Sequence, residues 1–311
     1  MKEGRFSLIY TVTLNPSLDY YLSLPALHPG TLHRVQDAQL LPGGKGVNVA
    51  IVLSRLGVPV RALGFAAGHT GALLTTLLRE IGLDTDFVTV PDGMTRLNVK
   101  ISTESETELN GAGPDIPSDA FEALLCKMDG LEQDDILVLS GSAPASLPAD
   151  AYNQLAQRAQ ACGAHLVADT TGRRLTDLLP CRPFLIKPNA LELAEVSGQT
   201  ADTVAGRAAQ ARQLQALGAR NVLVSCGAEG AVLVTEDGDV LTGLAPQGTV
   251  RSTVGAGDSM VAGFLAGWLD GGSYKAALRL GLSAGSATAF RDGLAERGDI
   301  DRLLSEAHVT A

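Results

Sequence analysis

Ser252-Thr253-Val254-Gly255-Ala256-Gly257-Asp258 is followed by apolar residues at helical spacing: Met260, Val261, Phe264, Leu265, Trp268 and Leu269. The stretch reads as a glycine turn that opens a helix. The first N–H groups of a helix have no partner within it, and the helix dipole adds positive potential at that end. The N–H groups of Gly255, Ala256 and Gly257 can therefore surround an anion, and a phosphoryl group in transfer fits. Asp258 then stands where a base would take the proton of an attacking hydroxyl. A lone aspartate at a helix start is more often a cap, but the glycine pair before it and the motifs below favour catalysis.

Two other phosphate-binding designs fail on inspection. The dinucleotide fingerprint Gly-x-Gly-x-x-Gly has Met260 where its third glycine belongs, and Gly43-Gly44-Lys45-Gly46 lacks both the upstream glycine and the Ser or Thr of a P-loop.

Outward from this stretch, short apolar segments alternate with helix-forming ones. Residues 7–14 read as a strand and 47–56, ending at Gly57, as a helix. Residues 135–139, 165–169, 184–186 and 221–225 are apolar stretches followed by Gly, Pro, Asn or Thr and then a helical segment. The pattern predicts an α/β fold, doubly wound, with a mostly parallel sheet and helices on both faces, as one main domain over 1–311. Ligands of such sheets bind beyond the carboxyl ends of the strands. Segments of about 20–40 and 87–110 break the rhythm and alternate polar with apolar residues, which predicts a small β-sheet lid. Side chains alternate along a strand, so Arg96, Asn98 and Lys100 share one face of it.

The 311 residues are 45% hydrophobic and 19% charged, enough for a sizeable core. Apolar runs stay well short of the roughly 18 residues of a membrane span. A formal net charge of −10 repels nucleic acid and anionic membranes, so a phosphorylated ligand needs local positive charge. Glu3, and the alternation of Leu8, Tyr10, Val12 and Leu14, predict a strand in place of a signal peptide and hence a cytoplasmic protein. Cys126, Cys162, Cys181 and Cys226 are widely spaced and read as buried, reduced thiols.

Further candidates sit at strand or helix ends. Asn15-Pro16-Ser17-Leu18-Asp19 and Pro42-Gly43-Gly44-Lys45-Gly46-Val47-Asn48 suit a sugar pocket: Asp19 accepts from hydroxyls, bare glycine backbone admits a polyol, and Asn48 donates and accepts. Lys187-Pro188-Asn189 follows a buried strand. Pro188 keeps Lys187 out of helical geometry, and Asn189 with Glu192 offers oxygen ligands for Mg²⁺ through water. Ser225-Cys226-Gly227-Ala228-Glu229-Gly230 is a glycine turn that either lines a nucleotide, through Ser225, Gly227 and Gly230, or simply closes a hairpin.

With these residues in view, the chain resembles the ribokinase-like, PfkB-type carbohydrate kinases over essentially its whole length. Gly-Gly-Lys-Gly-x-Asn at 43–48 and Gly-Ala-Gly-Asp at 255–258 match the family's two signatures, in order. The resemblance implies ATP and Mg²⁺, Asp258 as base, and Gly255, Ala256 and Gly257 as anion hole. Asn-Pro-x-x-Asp at 15–19 looks like the branch that acts on phosphorylated ketohexoses. Asp19, Gly43, Gly44, Lys45 and Asn48 match that branch's sugar contacts, and Thr95-Arg96-x-Asn98-Val99-Lys100 its phosphate-binding lid strand, with Arg34 as a further lid contact. The run 106–111 and the residues around Asn15 look most like 1-phosphofructokinases and next like tagatose-6-phosphate kinases. Conversion of fructose 1-phosphate to fructose 1,6-bisphosphate is thereby implied. 6-Phosphofructokinase activity, or a silent sugar-phosphate sensor, stays open. A homodimer joined through the lid strands is also implied, and such pairing would protect their edges.

Overall fold

Alternation along the first strand sorts the core into two layers. Ile9 faces one layer, and Val12 and Leu14 face the other, as the period of two requires. The computed structural model describes residues 8–103 and 106–310; Glu3 and Ser7 lie outside the described residues. The chain lays down β1 (Ile9–Thr13), β2 (Ser17–Ser23), β3 (Asp37–Gly43), α1 (Lys45–Arg55), β4 (Val60–Ala67), α2 (Gly68–Glu80), β5 (Asp84–Thr85), β6 (Val88–Val90), β7 (Arg96–Ser102) and β8 (Glu106–Asn110). There follow α3 (Ser118–Met128), β9 (Ile136–Ser140), α4 (Ala151–Ala161), β10 (His165–Asp169), α5 (Gly172–Leu178), β11 (Leu185–Ile186), α6 (Ala190–Ser197), α7 (Val204–Ala216) and β12 (Asn221–Ser225). The last elements are β13 (Ala231–Val234), β14 (Val240–Leu244), α8 (Ala256–Leu269), α9 (Tyr274–Ala289), α10 (Arg297–Leu303) and β15 (His308–Thr310).

Among the described residues, eleven strands form the main sheet in the order β15-β14-β13-β12-β11-β10-β9-β1-β4-β5, with β6 also on β4. From β5 to β12 neighbours run parallel, while β13, β14 and β15 are antiparallel. All five residues of β9 are buried, as expected of a parallel strand covered on both faces. The chain proceeds outward through β4 on one side of β1 and through β9, β10 and β11 on the other. The order reverses between β1 and β9, so the ligand crevice of such a fold opens there, beyond the strands' carboxyl ends.

Helix α8 is buried continuously from Asp258 to Gly267, packed between α1 and α9. Phe264 within it is fully buried, a burial that contributes roughly 1.5–3 kcal/mol. Such packing leaves the first turn of α8, with Asp258 on it, little freedom to shift.

A separate four-stranded sheet, β3-β2-β7-β8, forms the lid. Ser17, Asp19 and Tyr21 are paired in register with Arg96, Asn98 and Lys100, so these six side chains share one face. Two expectations are corrected. Val88–Val90 pairs with β4 in the main body, because its apolar residues find the core before the chain turns up into the lid at Arg96. The four cysteines are free, but only Cys181 is buried; Cys126 lies exposed on the outer face of α3.

Candidate active site

The sugar-side candidates converge from β2, β3, α1 and β7. Asp19 is buried, and its Oδ1 accepts from Ser17 Oγ at 2.7 Å and from Asn98 Nδ2 at 2.8 Å. A Cβ at Gly43 would sit 2.5 Å from Asp19 Cγ, so β3 crosses this carboxylate only because residue 43 has no side chain. On α1, Asn48 Nδ2 donates to Asp258 Oδ2 at 2.8 Å, tying the two glycine motifs together. Arg96 Nε donates to the Asn15 carbonyl at 3.0 Å. Lys100 Nζ lies 2.8 Å from Glu108 Oε1, so its charge is already matched within the lid.

At the centre, Gly255 is the N-cap residue of α8 with φ 77°, a left-handed conformation that favours glycine. Asp258 sits three residues on, buried, and makes no capping bond. Ala256 N–H is engaged by the Thr253 carbonyl at 3.3 Å. Among the described residues, that leaves the N–H groups of Gly255 and Gly257 for an anion and closes off the middle one of the three expected. Burial and then the like charge of Asp169 push the Asp258 carboxyl up to about 6, against the pull of Lys45, the Asn48 bond and Lys187. Such a group is ionised at neutral pH yet basic enough to take a proton.

Asp169, at the carboxyl end of β10, is 1% exposed. Its Oδ1 lies 3.4 Å from Lys187 Nζ and 3.6 Å from Lys45 Nζ. Burial alone would raise its pKa, but the two ammoniums overcome this and hold it below the usual carboxylate range. Lys45 is correspondingly raised: burial opposes its charge, and Asp169, Asp258 and Glu192 outweigh that.

On the opposite side, Asn189 Oδ1 accepts from Glu192 N–H and Glu192 Oε2 accepts from Asn189 N–H, both at 2.8 Å. The pair is the capping box of α6. Ser225 and Gly227 belong to the hairpin between β12 and β13 and face the same cavity, while Ala245, Pro246, Leu282 and Phe290 close its far end as an apolar slot. The cavity has a volume of about 690 Å³ and reaches from Asp19 through Asp258 to that slot. A second cavity of about 280 Å³ shares Lys45 and Arg96 with it and adds Arg174, Ser142 and Thr170, with no carboxylate in its lining.

A family model described as pfkB family carbohydrate kinase matches residues 13–299. The chain belongs to the PfkB family of carbohydrate kinases. It is thus a phosphotransferase that acts on an alcohol acceptor, with the ribokinase-like fold. This PfkB kinase is 43% identical to the 1-phosphofructokinase of Bacillus subtilis strain 168, over 97% of this chain and 99% of that protein. It is 34% identical to the D-tagatose-1-phosphate kinase of Bacillus licheniformis, over 97% and 99% respectively. The crystal structure of Escherichia coli phosphofructokinase-2 in complex with fructose-6-phosphate superposes with a TM-score of 0.90 at 30% identity, covering 96% of this chain and 99% of that one.

Most of the residues picked out by sequence in this PfkB kinase line the cavity of about 690 Å³, from Asp19, Gly44, Lys45 and Asn48 to Lys187 and Asp258. Gly230 does not; it closes the hairpin behind the wall, where its carbonyl accepts from Cys226 N–H at 2.8 Å. Arg34 is exposed between β2 and β3 and lines none of the described cavities. Asp169 and Arg174 escaped the sequence reading. The first is the last residue of a strand run and the second belongs to no motif; the fold brings Asp169 to Lys45 and Lys187, and Arg174 to the cavity that Lys45 lines.

Among the described residues no three His, Cys, Asp or Glu side chains form a metal cluster. Mg²⁺ beside a nucleotide asks only one or two carboxylates of the protein and keeps several waters. Glu192 Oε1, the oxygen that the Asn189 cap does not use, fits that sparse mode. Asn189 Oδ1 is already engaged by the cap.

Proposed function

We propose that this PfkB kinase transfers the γ-phosphoryl group of ATP to the free primary hydroxyl of a ketohexose phosphate, with fructose 1-phosphate as acceptor and fructose 1,6-bisphosphate as product. The observation that carries this reading is the small cavity lined by Lys45, Arg96 and Arg174 without a carboxylate. In a chain of net charge −10, three cations lining one cavity, of which Lys45 also acts on Asp258, are a seat for a phosphate, and Arg presents a planar fork of donors to it. Fructofuranose carries a hydroxymethyl group at each end, so a phosphate held at one end presents the other to Asp258. The names of relatives at 32–43% identity support the 1-phosphate.

In the proposed step Asp258 takes the proton of the C6 hydroxyl as its oxygen attacks the γ-phosphorus in line and ADP leaves. Asp19, held by Ser17 and Asn98, fixes the sugar ring. The N–H groups of Gly255 and Gly257, with Lys187, face the charge on the transferring group, an electrostatic task. Glu192 would hold Mg²⁺ through water, with Asn189 steadying its carboxylate, and the ion when bound would offset phosphate charge. The apolar slot near Phe290 suits the adenine, and Ser225 and Gly227 the nucleotide beside it. Closure of the lid would exclude water and limit ATP hydrolysis.

The lid also carries the proposed dimer contact: β8 is exposed along its whole length, Leu109 on the face turned from the site is 58% exposed, and bare edges invite pairing. A monomer in sedimentation velocity at working concentrations would refute that part.

A coupled ADP-release assay tests the acceptor. Fructose 1-phosphate should give the highest kcat/KM in a panel with fructose 6-phosphate, tagatose 1-phosphate, tagatose 6-phosphate and fructose. A relative named for D-tagatose 1-phosphate makes that sugar the second choice. Fructose turned over as well as its phosphates would sink the proposal.

A further inference from the structure

We propose that Asp169 is a positioning residue for phosphoryl transfer: its buried carboxylate holds Lys45 and Lys187 at the reacting centre and supplies the like charge that Asp258 feels. The inference rests on the reading of Asp258 as base and assigns a residue that neither glycine motif contains. Asp169 is anchored by its backbone. It stands in register with Ser140 of β9, and its carbonyl accepts from Gly141 N–H at 3.2 Å. Its side chain lies on the same strand face as Val167, which packs into the layer of α1 and α8.

Neither carboxylate oxygen has a well-formed hydrogen bond among the described residues; its contacts there are the two ammoniums. Both ammoniums approach one oxygen, at 3.4 and 3.6 Å, beyond the roughly 2.7–2.9 Å of a well-made charged bond. A buried ion pair made for stability would have closed these distances, because loosely paired buried charge is costly. The loose geometry instead leaves ammonium protons free for a phosphoryl oxygen while fixing where the ammoniums stand. Lys45 lines both the small cavity and the large one. A Cβ added to Gly257 would meet Lys187 Nζ at 3.1 Å, so that ammonium lies against the anion hole. One carboxylate thus joins the phosphate seat to the transfer site.

The charged and polar groups acting on Asp258 are Asp169 from β10, Lys45 and Asn48 from α1, and Lys187 after β11. Removing the Asp169 charge leaves two ammoniums unopposed. Both changes favour ionised Asp258, so the acidic limb of the rate profile moves to lower pH.

The test uses the full chain with Asp169→Asn and Asp169→Glu, following kcat against pH with both substrates saturating, the Mg²⁺ dependence and the melting temperature. Substrate phosphates ionise alike with every variant and cancel in the comparison. Asp169→Asn should lower kcat about 10²-fold through displaced lysines and move the acidic limb down by about 1 pH unit. Asp169→Glu should lower kcat and leave the limb at its parental pH. If Asp169→Asn does not fold, Asp169→Glu still decides, since parental kcat in that variant would overturn the proposal. An unmoved limb in folded Asp169→Asn, or a raised Mg²⁺ requirement as the sole change, would overturn it too. A parent enzyme with no acidic limb overturns the Asp258 assignment itself, a failure distinct from these.

Discussion

Asp258→Asn separates a base from a structural aspartate, because rate and stability should move in opposite directions. The substitution keeps the shape and an oxygen that can accept from Asn48. Loss of a general base lowers rate by about 10²–10⁴-fold, so kcat should fall in that range while the KM for ATP stays near its parental value. The stability effect follows from the carboxyl's displacement from 3.8 to about 6 in the folded protein. With the folded value raised above the unfolded one, the folded chain prefers the protonated carboxyl. Stability from this group is fully present below about pH 4 and is lost as pH rises through about 6. Some two pH units at 1.36 kcal/mol each put the penalty at neutral pH near 3 kcal/mol, in order of magnitude. At about 2 °C per kcal/mol for a chain of this size, Asp258→Asn should raise the melting temperature at pH 7.5 by roughly 6 °C, and the gain should vanish near pH 4. Coupled ADP release for kcat and a thermal melt at each pH suffice. Near-parental turnover in the folded variant, or a melting temperature lowered equally at both pH values, would refute the reasoning.

Three further substitutions probe the acceptor side. Arg96→Ala should raise the KM for fructose 1-phosphate at least tenfold, since a charged hydrogen bond is worth about 1.5–3 kcal/mol, and Arg174→Ala should raise it less; unchanged KM values for every phosphosugar would remove the small cavity from consideration. Asp19→Ala should impair sugar binding and spare ATP, and calorimetric titration of each ligand would expose the reverse. Gly43→Ala would put a methyl group 2.5 Å from Asp19 Cγ, so it should reproduce much of the Asp19→Ala defect at near-parental melting temperature; a parental sugar KM would show that β3 yields to make room.

Strands β1, β9, β10, β11 and β12 could be read from sequence because each is a short apolar run with a turn behind it, whereas β4 was not picked out, and the glycine turn before Asp258 announced its own helix. The lid was harder. Residues 88–90 alternate like the lid strands, and only pairing with β4 shows that they belong to the body. Asn189 and Glu192 were read for their oxygens, whereas three-residue spacing at a helix start equally makes a capping box, which is what they form. Asp169 gave no local signal: its importance comes from two lysines, one 124 residues earlier and one 18 residues later in the chain, that meet at a single oxygen. Arg174 likewise gains meaning only from Arg96 and Lys45 across the cavity. Pairing along the chain is visible in sequence, and pairing across the sheet is not.

The Asn48–Asp258 hydrogen bond spans 210 residues of sequence. During synthesis the first glycine motif is therefore complete long before its partner exists, and a chain cut between β7 and α8 carries the residues of the proposed sugar pocket without the proposed base. On the proposed mechanism such a fragment can neither phosphorylate a sugar nor use Asp258 to activate water against ATP. Turnover in this kinase is consequently a late reporter of folding: the first ADP released marks the moment when the last third of the chain has docked against the first.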